Sequence, residues 1–116
     1  MSKKEILVKA NAAVVQGDNE KFLEFCNEDV VWNFVGERVL RGKQQVREYM
    51  RENYTEPPKF TVTNLIEEGD FLTALGTITT RDKNGREVRH MYCDVWRFKN
   101  DKMDELTAFV IESENT

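Results

Sequence analysis

Through the first fifty-odd residues apolar positions return every three or four places, and beyond Pro58 they return every second place. Ile6, Leu7, Ala10, Ala13 and Val14 follow Ser2 and Glu5, which have capping-box spacing, and Gly17 offers a stop. A first helix is therefore predicted to about Gln16. Asp18 can cap a short second helix in which Phe22, Leu23 and either Phe25 or Cys26 form the apolar stripe, broken by Asn27 to Asp29. Residues 30–35 (VVWNFV) are β-branched and aromatic, end at Gly36 and are answered by residues 38–42 (RVLRG), which predicts a small strand or hairpin. Residues 43–53 place Val46, Tyr49 and Met50 on one face of a third helix, which Pro57 and Pro58 forbid from continuing.

In the second half, Phe60, Val62 and Ile66 are expected on one face of a strand, and Leu72, Ala74, Gly76 and Ile78 on one face of the next. Asn84-Gly85 is a strong hairpin signal between a strand ending near Arg81 and one beginning at Arg86. A turn at Lys99 to Lys102 leads into a last strand from Met103 to about Ile111. Helices first and strands afterwards predict an α+β domain spanning residues 1–116, with three N-terminal helices packed on one face of a curved, largely antiparallel (mixed) sheet.

Composition narrows the function. At 116 residues the chain can bury one core without staples, and 40% hydrophobic with 33% charged residues is a globular balance. A net charge of −4 with the basic residues scattered among 21 acids leaves no footprint for nucleic acid. The start of the chain has no long apolar run and no cleavage site of small residues, so a cytoplasmic protein with no membrane partner is expected. Cys26 and Cys93 form no CxxC pair and lie in apolar segments, which fits two buried reduced thiols. No nucleophile elbow, HExxH, phosphate loop or GxGxxG occurs. The acidic pairs Glu67/Glu68 and Glu112/Glu114 lack a histidine or further acid at matching spacing, so no metal and no cofactor is expected.

The residue that asks for an explanation is Asp94, an acid inside the run HMYCDVWRF (residues 90–98). Alternation puts His90, Tyr92, Asp94, Trp96 and Phe98 on one face and Met91, Cys93, Val95 and Arg97 on the other. If the first face lines a cavity, desolvation raises the pKa of Asp94, and the neutral acid can donate a hydrogen bond to a carbonyl or developing enolate. The competing reading is a carboxyl paired with neighbours or water at a cavity wall. His90, the one histidine, lies four residues and roughly 13 Å from Asp94, within joint reach only of a sizeable ligand. It is otherwise a solvated edge residue or an interface residue. Tyr92, roughly 7 Å away, is the more reachable hydroxyl.

The order of elements, with GD after the first helix, an aromatic strand before RG and DVWRF in the third of the late strands, resembles the nuclear transport factor 2-like cone, specifically its ketosteroid isomerase and SnoaL-like polyketide cyclase branch. The resemblance covers nearly the whole chain and implies a conical cavity closed by the helices, with dimers through the outer sheet face. In ketosteroid isomerase, the standard example of tuned carboxylates, one aspartate is the base while a tyrosine and a protonated aspartate hold the oxyanion. Carried over, Asp94 falls at the protonated aspartate, the base position is Asn33, and the helix-one tyrosine position is about Ala10. Asn33 can hold an oxygen but cannot ionise, so the resemblance does not extend to the steroid isomerase reaction.

The implied cavity would be lined by Phe22 or Leu23, Trp32 or Phe34, Tyr49, Phe60 or Val62, Trp96, Leu106 and Val110, a wall suited to a small apolar or aromatic ligand. Two functions are open. One is isomerase-, cyclase- or dehydratase-like proton transfer with Asp94 as acid or oxyanion donor and Tyr92 and Asn33 as orienting groups. The other is a ligand-binding or dimeric interaction module on the same fold, without chemistry.

Overall fold

The change of period at Pro58 is where the chain stops packing helices and begins a meander of long strands. The computed structural model describes residues 1–113. Helix α1 (Lys3–Val15) carries the capping box: the Ser2 side chain accepts from the Glu5 N–H while Glu5 reaches back to the Ser2 backbone. Helix α2 (Asn19–Glu24) is capped by Asp18, whose side chain accepts from the Lys21 N–H. Strands β1 (Cys26–Phe34) and β2 (Arg38–Arg41) form the first hairpin, and helix α3 (Gly42–Asn53) follows. Strands β3 (Lys59–Glu68), β4 (Phe71–Arg81), β5 (Glu87–Lys99) and β6 (Lys102–Glu112) complete one sheet in the order β2-β1-β6-β5-β4-β3. Only the β1–β6 pairing is parallel, so the sheet is mixed.

The helices cover the concave face. Ile6, Leu7, Ala10, Ala13 and Val14 of α1, Phe22 and Leu23 of α2 and Val46 and Met50 of α3 are buried against Val30 and Trp32 of β1, Leu72 of β4, Trp96 of β5 and Met103 and Leu106 of β6. The β5–β6 turn is tight because Asn100 and Asp101 both adopt positive φ, 54° and 62°, the geometry of a two-residue hairpin turn that Asn and Asp tolerate best after glycine.

Three expectations are corrected. Asn27 to Asp29 do not separate helix from strand: α2 ends at Glu24, and β1 already begins at Cys26, paired with Met103. The Asn27 amide explains this, donating to the Lys99 carbonyl and to Asp104 Oδ1, both at 3.1 Å, which stitches the segment to the β5–β6 hairpin. In β3 the register shifts between Val62 and Asn64, one extra residue in the strand. The bulge reverses the alternation, so Leu65 packs on the core while Ile66, predicted to share a face with Phe60, is exposed on the opposite side. A Cβ at Gly76 would collide with the Thr61 carbonyl oxygen and meet the Tyr92 hydroxyl at 2.7 Å, so only glycine admits β3 and the Tyr92 ring this closely. Cys26 is buried, but Cys93 lies half-buried on the convex face rather than in the core.

Candidate functional site: an aromatic cavity around Asp94

The inner faces of β4, β5 and β6 are sealed at one end and open at the other. Between these faces and the helices a cavity of about 310 Å³ remains. Its walls follow from the periodicities. Helix α1 contributes Leu7, Asn11 and Val14, spaced i, i+4 and i+7 on one face. Strand β1 contributes Trp32 and Phe34, and α3 contributes Tyr49, with Tyr54 brought in at its C-cap just before the proline pair. Strand β5 supplies His90, Tyr92, Asp94 and Trp96 in alternation.

The aromatic rings are set edge to face. Trp32 makes T-shaped contacts with Phe22, Phe34, Tyr49 and Trp96 at centroid distances of 5.7, 6.0, 6.2 and 6.2 Å, and Tyr49 does the same with Tyr54 at 5.9 Å. The Trp32 Nε1–H has no acceptor among the described residues, the one sealed side-chain polar atom in that condition. Asp94 differs: it is half-buried, opens on the cavity, and forms no ion pair among the described residues.

Burial alone pushes the Asp94 carboxyl from 3.8 up to about 7, with no cation or hydrogen bond acting against it. The tyrosines respond to the same environment. Desolvation, then the negative charge at Asp94, raises Tyr92 to about 12, and desolvation followed by Tyr49 and Asp94 raises Tyr54 further. Tyr49 is raised by burial and by Glu37. At neutral pH the cavity therefore holds neutral phenols around one carboxyl divided between its two forms. Such a group can give a proton to a ligand oxygen or take one from a ligand carbon.

Several residues singled out from the sequence meet here: Asp94, Tyr92, Phe22, Trp32, Tyr49, Trp96, Leu106 and Val110 all line the cavity, and Val110 does so at its exposed rim. Two do not. Asn33 alternates with Trp32 and Phe34 and so lies on the opposite, convex face, opposite Thr107 of β6. Val62 is 36% exposed at the bulge and outside the cavity wall, which Phe60 supplies instead. His90 is half-buried at the mouth rather than a solvated edge residue. Glu67 and Glu68 are exposed at the end of β3; of the other acidic pair, Glu112 is exposed and Glu114 lies outside the described residues. Sequence reasoning overlooked Asn11 and Tyr54. A polar residue inside the Leu7/Val14 stripe is the signal for Asn11; for Tyr54 the signal is an aromatic ring at the helix end, three residues before Pro57.

A family model described as a SnoaL-like domain matches residues 7–106, most of the chain. The chain belongs to the SnoaL-like domain family. Solved structures share the fold of this SnoaL-like domain at low identity. The epoxide hydrolase/cyclase-like enzyme SalBIII, of pyran ring formation in the polyether salinomycin, is 24% identical over 92% of this chain and 88% of its own, with a TM-score of 0.85. An NTF2-like protein of unknown function from Cytophaga hutchinsonii is 24% identical over 95% of this chain and 100% of its own, with a TM-score of 0.76. TerC, co-crystallized with polyporic acid, is 16% identical over 90% of this chain and 88% of its own, with a TM-score of 0.78. No curated protein sequence matches the chain. Among the described residues of this SnoaL-like domain, no helix is long and apolar enough to cross a membrane.

Proposed function

We propose that this SnoaL-like domain binds a small, largely apolar ligand in the conical cavity and moves a proton on it through Asp94. The observation that carries the reading is the carboxyl itself: Asp94 stands in an aromatic wall with burial as the sole cause of its raised pKa. A structural carboxyl would be expected to be tied down by donors or a cation. In its acid form Asp94 donates to a carbonyl or enolate oxygen, where charge develops in an enolisation. Tyr54 and Tyr92, whose charged forms are disfavoured near it, are suited to orient that oxygen as neutral donors. This assigns to Tyr54 and Asn11 the orienting part that Asn33 cannot play from the convex face. The fold neighbours are consistent with it: one serves pyran ring formation and another was crystallised with polyporic acid.

The test is exchange of the α-hydrogens of a bicyclic ketone such as 2-tetralone in D₂O, followed by NMR. Catalysed exchange that falls by two orders of magnitude or more in Asp94→Asn supports proton transfer. Binding of the ketone with no exchange above buffer leaves the ligand-binding module without chemistry, the second reading. No binding contradicts both.

The convex face completes the proposal. Met91, Phe109 and Ile111 stand exposed there, 60%, 44% and 71%, with Met91 directly opposite Ile111 and Cys93 opposite Phe109 in the β5–β6 register. We assign this apolar strip to a homodimer contact. Sedimentation at micromolar concentration tests it, and a clean monomer refutes it. Two unpaired thiols fit residence in a reducing compartment such as the cytoplasm.

A further inference from the structure

A neutral Asp94 can be satisfied by a ligand oxygen, but an ionised Asp94 needs a positive charge that the chain does not bring to it. None of the ion pairs among the described residues reaches Asp94. Two arginines stand near the cavity, and among the described residues neither pairs with Asp94. Arg81, at the mouth, is held by Glu56 at 3.0 Å and Glu87 at 3.6 Å. The Arg38 guanidinium lies over the Tyr49 ring, 5.6 Å from its centroid. That contact shows that a ring of this wall already presents a face to a cation. A second carboxylate, Glu37, stands at the mouth beside Tyr49. The groups that face Asp94 from the packed elements are therefore the phenols of Tyr49, Tyr54 and Tyr92, the Glu37 carboxylate and His90 with the neutralised Arg81 at the rim.

Electron-rich ring faces around a lone carboxylate are the surroundings that attract an alkylammonium centre and repel an anion. We propose that the cavity selects an organic cation, a compact apolar amine or quaternary ammonium whose charged centre lies against the Asp94 carboxylate within the aromatic wall. The inference rests on the cavity reading given above and adds the charge of the ligand to it. A carboxylate- or phosphate-bearing ligand is disfavoured, because it would enter past the Glu37 carboxylate toward the Asp94 carboxylate.

A cation binds only the ionised form of Asp94, so its apparent affinity scales with the ionised fraction. With the carboxyl titrating at about 7, that fraction rises from roughly a tenth at pH 6 to roughly nine tenths at pH 8, and the apparent Kd falls about tenfold. An uncharged ligand of the same shape shows no such gain.

The experiment is an amide chemical-shift titration of the full chain with benzyltrimethylammonium and with its uncharged carbon isostere, neopentylbenzene, at pH 6 and pH 8. The expected result is that the cation binds at least tenfold more tightly than the isostere at pH 8 and tightens about tenfold from pH 6. Asp94→Asn should remove both the preference and the pH dependence. His90→Gln should keep the pH dependence, which separates Asp94 from the other group at the mouth able to gain charge. Equal binding of cation and isostere at pH 8, a cation preference that survives Asp94→Asn, or a pH dependence lost in His90→Gln overturns the inference. In the first of these cases the apolar cavity stands. If neither compound binds at either pH, the cavity reading falls together with the inference.

Discussion

Strand β5 passes through two environments on one face within nine residues. Phe98 and Trp96 are each 4% exposed and packed in the core, whereas Asp94, Tyr92 and His90 are half-buried around a cavity. Its neighbours make the same passage, β4 from Leu72 and Ala74 to Ile78 and Thr80, and β6 from Met103 and Leu106 to Val110. The strands differ little in backbone; what changes is what covers them. At the sealed end α2 and the buried face of α3 lie on the sheet, and apolar contact there supports the fold. At the open end a cavity separates helices from sheet, and side chains that would weaken a core can be held there by the rigidity of the rest. The comparison teaches that the acid at position 94 is carried by stability produced one turn of the cone away.

Truncation at the sealed end should have the largest effect. Leu72→Ala or Met103→Ala removes a fully buried side chain and should cost about 2–5 kcal/mol of unfolding free energy in urea denaturation. A cost under about 1 kcal/mol would mean that the two ends are not distinct.

Next is Asp94→Asn, which should do the opposite. An acid whose folded pKa of about 7 lies above its ordinary value of 3.8 binds protons more tightly when folded. Its contribution to stability is fully present below about pH 4 and is lost as pH rises through 7. The variant should therefore gain on wild type as pH rises across that window, reaching about 2–4 kcal/mol above pH 8. Parallel stability curves for the two proteins would show that Asp94 is not desolvated.

Tyr54→Phe should be smaller still, changing stability by less than about 1 kcal/mol because its hydroxyl has no hydrogen-bond partner among the described residues, while weakening ketone binding about threefold to tenfold. A stability loss above 2 kcal/mol would make Tyr54 a core residue. The smallest effect is one of rate alone: Cys93 should react with a thiol reagent in the native state, whereas Cys26, buried and pushed up to about 12, should react only on unfolding. Protection of Cys93 with rising protein concentration would report the dimer proposed for the convex face.

Much of this was legible in the sequence because period and punctuation are local. The helix caps at Ser2 and Asp18, the proline pair and the alternation of residues 90–98 each act over a few residues, and Asp94 could be placed on an aromatic face from alternation alone. The misplacements have separate causes. Ile66 is misplaced because a bulge at Thr63 leaves no composition mark and reverses every residue after it, and Val62 stands at the edge of the same irregularity. Asn33 was given a site role from resemblance, although its own alternation with Trp32 and Phe34 puts it on the other face. Asn11 and Tyr54 depend on how far a helix face and a helix end overhang the sheet, a tertiary distance that no local pattern encodes.

The measurement that tests the account most directly is the titration of the Asp94 carboxyl by carbon-detected NMR in the free protein, with Asp94→Asn to assign the signal. A pKa near 7, moving upward when a neutral phenol or ketone binds and downward when benzyltrimethylammonium binds, is the predicted result. A pKa near or below the ordinary value of 3.8, indifferent to every ligand, would make Asp94 a solvated or paired carboxylate and contradict both the proton-transfer site and its charge selectivity.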